Sequence, residues 1–82
     1  METRVAVISI IVEEISTVEK LNLILHEYKD FIIGRMGIPY RQKNIFIISI
    51  AIDAMQDTIS SLAGKIGKLD GISVKTAYSN IK

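Results

Sequence analysis

The chain contains no cysteine and no tryptophan, one proline and one histidine. Without cysteine it forms no disulfide, no thiolate metal site and no thiol nucleophile. The single histidine, His26, lies beside Leu25 and off the apolar stripe of a predicted helix, with no second imidazole to assist it. We therefore interpret His26 as an exposed surface residue and predict no catalytic, metal-binding or cofactor-binding residues.

The chain also lacks an excess of charge of either sign. Ten basic and nine acidic side chains leave a formal net charge of +1, which is too balanced for an electrostatic interaction with nucleic acid or an anionic membrane. The longest uncharged runs, Val5 to Val12 and Asn44 to Ile52, are less than half of the ~20 residues that span a bilayer. With no signal-peptide pattern at the start, we expect a cytoplasmic protein.

Apolar residues, by contrast, are abundant for so short a chain. Hydrophobic residues make up 49% of the 82, and the mean hydropathy is +0.34. A chain of this length forms one domain, predicted over residues 1–82, in which roughly 40% of the surface of the unfolded chain stays exposed. The excess of apolar residues predicts burial against other copies, as a homo-oligomer, either a dimer or a tetramer.

The pattern along the chain predicts four strands and two helices. Ser16 with Glu19, and Asp53 with Gln56, have capping-box spacing at the starts of the helices, and Gly64 and Gly67 weaken the second one. The predicted elements are strand one over 3–12, helix one over about 17–29, strand two over 31–40, a turn over 41–44, strand three over 45–52, helix two with apolar positions Ile59, Leu62, Ala63 and Ile66, and strand four over 72–78.

The resulting order, β-α-β-β-α-β, indicates an α+β fold of the ferredoxin-like type. Its sheet has four antiparallel strands, with two helices on one face. The two crossovers place strands one and three in the middle of the sheet and strands two and four at its edges. Strand one is apolar at nearly every position, which predicts burial on both faces.

Alternation in strand three separates a bulky set of residues from a smaller one. We expect the bulky set to face the helices and the smaller set to line an apolar, helix-free face. RNA-recognition modules share this strand order but stack bases on open-face aromatics of strands one and three. Phe46, the only aromatic in those strands, belongs to the helix-facing set, so packing against a second subunit is favoured. The bulky set is Phe46, Ile48, Ile50 and Ile52, and the other set is Ile45, Ile47, Ser49, Ala51 and Asp53.

Strand two carries the most unusual composition of the chain. Proline lacks the N–H that a central strand needs, so Pro39 predicts an edge strand. Gly34 and Gly37 allow a neighbouring chain to approach closely, whereas Arg35 suits either an interface ion pair or a bound carboxylate or phosphate. We predict an intersubunit or ligand-binding edge formed by Gly34, Arg35, Met36, Gly37, Ile38, Pro39 and Tyr40.

Other candidates for chemistry are weak. Glu13 and Glu14 are adjacent, so a strand would point them to opposite faces, which makes a poor acid and base pair. Ser60 and Ser61 have no base nearby in sequence, and the glycines at 64 and 67 lack phosphate-loop spacing. We therefore predict that the protein is not an enzyme.

Several blocks of the sequence resemble the small proteins proposed as regulators of the iron-only hydrogenase system. The resemblance covers nearly the whole chain, and its most specific block is Ile32-Ile-Gly-Arg-Met-Gly-Ile-Pro-Tyr40. The other blocks are Val5-Ala-Val-Ile-Ser-Ile-Ile-Val12, Ile24-Leu-His-Glu-Tyr28, Leu62-Ala-Gly-Lys-Ile66 and Gly71-Ile-Ser-Val-Lys-Thr-Ala-Tyr78.

The resemblance implies an ACT-like domain, related in fold to the sensor domain of nickel-responsive repressors. In those repressors, histidines on the second strand and a cysteine at the start of the third hold the metal. The matching part of this chain reads Gly37-Ile-Pro39 and Ile45, so we predict no metal. The glycine-free loop Glu13-Glu-Ile-Ser16 likewise departs from the glycine-containing loop with which ACT domains commonly bind amino acids.

These features lead to a predicted function and two alternatives. We expect a non-enzymatic, homo-oligomeric regulatory domain of an iron-only hydrogenase system. Because the chain begins directly with strand one, without a ribbon-helix-helix domain, regulation would act through a partner and not by direct contact with nucleic acid. The first alternative is a small-molecule sensor with a ligand pocket at the subunit interface. The second is a small acylphosphatase-like enzyme, whose phosphate-cradling loop and paired arginine and asparagine are not evident in the sequence.

Overall fold

The structure is a computed structural model and describes residues 2–80. Residues 1, 81 and 82 of the predicted 1–82 domain lie outside this described range. The helices and strands follow the predicted order, with short 3-10 turns at Ile15–Thr17, Lys29–Phe31 and Arg41–Lys43. They are β1 (Arg4–Val12), α1 (Val18–Glu27), β2 (Ile32–Tyr40), β3 (Ile45–Ala54), α2 (Gln56–Gly67) and β4 (Ile72–Tyr78).

The four strands form one antiparallel sheet in the order β2-β3-β1-β4. Strand β1 lies between β3 and β4, whereas β2 and β4 are the edges, as the crossover rule predicts. The ferredoxin-like, ACT-like α+β fold is thereby confirmed. A bulge between Ile32 and Gly34 interrupts the pairing of β2 with β3 and leaves Ile33 exposed.

The hydrophobic core lies between one face of the sheet and the two helices. Every second residue of β1 and β3 points into it, and each fully buried large aliphatic side chain contributes roughly 1.5–3 kcal/mol to stability. The buried residues are Ala6, Ile8, Ile10 and Val12 of β1, Ile48, Ile50, Ile52 and Ala54 of β3, Leu21 and Leu25 of α1, and Ile59, Leu62 and Ile66 of α2.

The predicted capping box at the start of the first helix is wrong. Helix α1 begins at Val18, and Thr17 occupies its N-cap position without a side-chain capping hydrogen bond. Ser16 donates its hydroxyl to the Glu14 carboxylate at 3.2 Å instead. The buried Thr17 hydroxyl donates to the Asp70 carbonyl oxygen at 2.8 Å, so it joins the helix start to the loop before β4.

The predicted capping box at the second helix is wrong as well. Strand β3 continues to Ala54, because Asp53 and Ala54 still pair with β1 and Ala54 packs in the core. Met55 therefore occupies the N-cap position of α2, without a side-chain capping hydrogen bond. The Gln56 side-chain oxygen accepts a hydrogen bond from Arg4 at 2.9 Å.

The two helices also contact each other through polar side chains at their surface. The Tyr28 hydroxyl of α1 lies 3.2 Å from the Ser61 hydroxyl of α2, and the Lys65 ammonium lies 5.1 Å from the centre of the Tyr28 ring. The hydrogen bond with Ser61 and the neighbouring Lys65 lower the pKa of Tyr28 below its ordinary value of 10.0. These side chains extend the helix contact beyond the apolar core.

Gly71 is required by the loop that leads into β4. Its φ of +64° lies in the left-handed region, and an added Cβ would stand 2.5 Å from the Glu14 Cβ. We expect Gly71→Ala to lower the free energy of unfolding by about 1–2 kcal/mol through the left-handed backbone alone, with the clash adding to this. Urea denaturation followed by circular dichroism measures the change.

Gly64→Ala is the matched control for that measurement. Gly64 lies inside α2, and nothing stands within 4 Å of an added Cβ. Alanine should therefore raise the free energy of unfolding by roughly 0.5–1 kcal/mol, because a helix interior favours it over glycine. Equal effects of the two substitutions would contradict the assignment of Gly71 as the constrained glycine.

Candidate functional site

The helix-free side of the sheet, called the open face below, is a continuous apolar surface. Residues that pair across the ladder share a face, so the register assigns every strand residue to one side. The prediction that β1 is buried on both faces is wrong for the single chain, since Val7 is 40% and Ile11 43% exposed. The open face consists of Val5, Val7, Ser9 and Ile11 of β1, Gly34, Met36, Ile38 and Tyr40 of β2, Ile45, Ile47, Ser49, Ala51 and Asp53 of β3, and Ser73, Lys75 and Ala77 of β4.

Charge is nearly absent from the open face. Lys75, opposite Ser9, and Asp53, opposite Val5, are the two charged residues that the register places there among the strand residues. Their formal charges cancel. Ser9 and Ser49 pair with each other in the middle and are the polar residues nearest the centre. The face therefore presents apolar contact area without a net charge that would repel an identical face.

The size of the open face is comparable with a protein–protein interface. Four strands about 4.8 Å apart, each of about nine residues at about 3.3 Å, give a footprint of roughly 20 by 30 Å, on the order of 600 Å². Soluble monomers rarely expose contiguous apolar patches above a few hundred Å², and each partner of a standard interface contributes about 800 Å². The open face thus approaches the area of a stable interface.

Aromatic side chains are not placed for base stacking on the central strands. Phe46 lies on the helix side, half-buried against the core, as its position in the alternation predicted. Tyr40 is the aromatic residue of the open face within the described strands, and it lies at the end of edge strand β2. No aromatic residue stands on the open face of β1 or β3.

All seven residues predicted to form a functional edge lie in the edge strand β2. The register divides them between two surfaces, which the sequence analysis did not do. Gly34, Met36, Ile38 and Tyr40 belong to the open face, whereas Arg35, Gly37 and Pro39 point to the helix side. An added Cβ at Gly34 or Gly37 would meet nothing within 4 Å, so contacts within the chain do not require glycine at either position.

Arg35 faces a cleft between α1 and β2 that the sequence analysis missed. Its guanidinium donates a hydrogen bond to the Asn22 side-chain oxygen at 3.1 Å. The cleft has a volume of about 230 Å³ and is lined by Asn22, Leu25, His26, Lys29, Ile32 and Arg35. The helical spacing of 22, 26 and 29 was the available signal, but only the packing of α1 beside β2 brings these residues to Arg35.

Two further clefts lie at the ends of the sheet. One, of about 270 Å³, is mostly apolar and lies at the turn between β2 and β3; it is lined by Ile15, Pro39, Tyr40, Arg41, Asn44, Ile45 and Phe46. The other, of about 410 Å³, is polar and is lined by Glu2, Arg4, Gln56 and Asn80. The Arg4 guanidinium in this second cleft stacks 4.7 Å from the centre of the Tyr78 ring and donates to the Ser79 carbonyl oxygen.

The described residues contain no group of three or more His, Cys, Asp or Glu side chains that could hold a metal ion. Within residues 2–80, no helix is both long and apolar enough to cross a membrane. The helix serines face tyrosines instead of a histidine, since Ser60 lies 3.5 Å from the Tyr78 hydroxyl and Ser61 contacts Tyr28. Glu13 and Glu14 lie exposed after the end of β1.

Known structures are similar to this chain over nearly its whole length. The uncharacterized protein TM1266 from Thermotoga maritima has a TM-score of 0.91 and 33% sequence identity, covering 99% of this chain and 100% of TM1266. A formyltetrahydrofolate deformylase from Pseudomonas putida KT2440 has a TM-score of 0.66 and 15% identity, covering 95% of this chain but 30% of the deformylase. The second similarity concerns the fold alone. No curated protein matches the chain.

The sequence match to a family also covers most of the chain. Residues 4–76 match the TM1266-like family, which carries the description "Iron-only hydrogenase system regulator, putative". The matched range includes all of β1, α1, β2, β3 and α2 and most of β4. This match and the identity to TM1266 show that the chain belongs to the TM1266-like family.

Proposed function

We propose that this protein is a non-enzymatic regulatory domain that self-associates and acts on an iron-only hydrogenase system through a partner. The open face is the observation that carries the proposal, because it exposes a largely apolar surface that approaches interface size and has no net charge. The family description supports the regulatory part.

A second copy of the same chain suits the open face best. Every copy carries the same surface, and closed two-fold pairing of identical surfaces is the commonest form of association. Lys75 and Asp53 give each face one positive and one negative charge. Two such faces therefore carry no net charge that would oppose their association. Burial of the exposed valine and isoleucine side chains would then drive association.

The edge strand β2 offers a second contact with a neighbouring copy. An edge strand presents unpaired backbone N–H and C=O groups, to which another chain can add a strand. Open space beside Gly37 leaves room for a neighbouring backbone, and Pro39 removes one donor and so limits the extent of pairing. A dimer uses one of the two surfaces, and a tetramer uses both.

Absence of catalysis is part of the proposal. The loop after β1, Glu13 to Ser16, has two carboxylates and no glycine, so it lacks the backbone cradle and the charge that a phosphoryl group needs. Arg35 and Asn22 do contact each other, a pairing that sequence reasoning did not find. They lie between α1 and β2 and not at that loop. Regulation through protein contacts requires no reacting group.

A small-molecule sensor is the second candidate function. The cleft at the β2–β3 turn supports it, because it combines the apolar walls of Pro39, Ile45 and Phe46 with the polar groups of Arg41 and Asn44. Its residues Tyr40 and Ile45 also belong to the open face. A second copy on that face would therefore help to close the cleft and form a ligand pocket at the subunit interface.

Val7→Lys tests self-association through the open face. Val7 is on the central strand β1, between Ala51 and Ala77, and a lysine there remains solvated in the monomer. In an assembly, its charge would be buried without a partner, so self-association should weaken roughly tenfold or more. Sedimentation velocity across micromolar concentrations measures the effect.

Leu23→Lys is the matched control. Leu23 is 67% exposed on α1, away from the open face, so the same lysine should leave association unchanged. A wild type that sediments as a monomer at micromolar concentration would contradict the proposal. So would a Val7→Lys variant that assembles as the wild type does.

Gly37→Glu tests the edge contact separately. The added side chain meets nothing within 4 Å at its Cβ, so the fold of the monomer should remain intact, as circular dichroism would show. At a strand-to-strand contact, the bulk and charge should move native mass spectra toward smaller assemblies. Unchanged assembly of this variant would restrict the interface to the open face.

The regulatory role is tested in the host. We expect deletion of the gene to change iron-only hydrogenase transcript levels or activity. Expression of the wild type or of Leu23→Lys should restore them, whereas Val7→Lys should not, because the assembled form acts on the partner. Hydrogenase transcripts and activity that do not respond to deletion would refute the regulatory proposal, even if self-association is demonstrated.

A further inference from the structure

The cleft between α1 and β2 gathers three basic side chains and no acidic one. His26, Lys29 and Arg35 line it, together with Asn22 and the two apolar residues Leu25 and Ile32. In the described part of the chain, the Arg35 side chain hydrogen-bonds only Asn22, and neither the His26 nor the Lys29 side chain has a hydrogen bond or an ion pair. These basic groups line one cleft without a carboxylate among its lining residues.

The hydrogen bond between Arg35 and Asn22 prepares both side chains for an acceptor. A guanidinium has five N–H donors and no acceptor, so Asn22 must turn its oxygen toward Arg35. The NH₂ group of Asn22 then points away from Arg35 and is free to donate. Since Arg35 uses one of its donors on Asn22, several donors of the pair lack an acceptor from the protein. A bound oxyanion would replace water as their acceptor.

We propose that this cleft binds the carboxylate or phosphate group of a small molecule, with Arg35 as the main binding residue. The planar guanidinium matches the two oxygens of either group, and Lys29 adds a point charge. Buried Leu25 and half-buried Ile32 form an apolar floor. A volume of about 230 Å³ is below the range typical of drug-sized ligands, so the anion carries only a short apolar portion.

The proposed anion site is separate from the open face. Its residues come from α1, from Lys29 and from the helix side of β2, whereas the open face is on the opposite side of the sheet. Loss of anion binding therefore leaves association through the open face unchanged, and Val7→Lys leaves anion binding unchanged. Either proposal, anion binding or association through the open face, can therefore be refuted without affecting the other.

The single histidine provides a direct readout. His26 lines the cleft and is the only histidine of the chain, so the imidazole ring signals in a proton NMR spectrum need no assignment. The wild type is titrated at one fixed pH with inorganic phosphate and, separately, with acetate, against chloride at equal ionic strength. We expect saturable shifts of the His26 ring signals with one or both oxyanions and none with chloride. The two titrations distinguish a phosphate from a carboxylate ligand.

Three variants locate the binding group. Arg35→Gln should weaken binding about tenfold or more, because it removes charged hydrogen bonds. Arg35→Lys keeps the charge without the planar fork and should fall between Arg35→Gln and the wild type. Lys43→Gln, the matched control, makes the same charge change in the β2–β3 turn at a residue that lines none of the three clefts, and it should bind as the wild type does. Shifts equal to those caused by chloride, or equal losses in Arg35→Gln and Lys43→Gln, would overturn the proposal.

Discussion

Two helices cover only one face of a four-stranded sheet, and this one-sided covering determines both where the core lies and which apolar surface stays exposed. The crossovers place both helices on the same side, where Leu21, Leu25, Ile59, Leu62 and Ile66 complete the core. Strands β1 and β3 are nevertheless apolar on both faces. Their second face has no covering element within the described chain, so a stable core and an exposed apolar surface arise from the same strands.

The edge strand β2 connects the two surfaces that carry the proposals. Its alternation sends Met36 and Ile38 to the open face and Arg35 to the cleft beside α1. One strand therefore contributes to the proposed association surface on one side and to the proposed anion site on the other. Because the sheet separates the two surfaces, a ligand in the cleft would not compete with a subunit on the open face. Any coupling between them would pass through the position of β2.

Membership of the TM1266-like family bears on the process in which the protein acts, whereas the structure bears on the surfaces that are available for contacts. The family description names a hydrogenase system, whereas the surface shows where contacts are available. The similarity to part of a formyltetrahydrofolate deformylase concerns the fold alone and assigns no role to this chain.

The sequence by itself determined the order of elements, the edge position of β2 and the helix-facing residues of β3, because period-two alternation and the crossover rule depend only on local pattern. It assigned both helix N-caps wrongly, since Thr17 bonds to Asp70 and Asp53 extends the pairing with β1, and both are contacts between distant residues. The tertiary structure alone decided that Arg35 hydrogen-bonds Asn22 and lines the same cleft as His26. Their proximity depends on the packing of α1 beside β2, and no spacing along the chain encodes that contact.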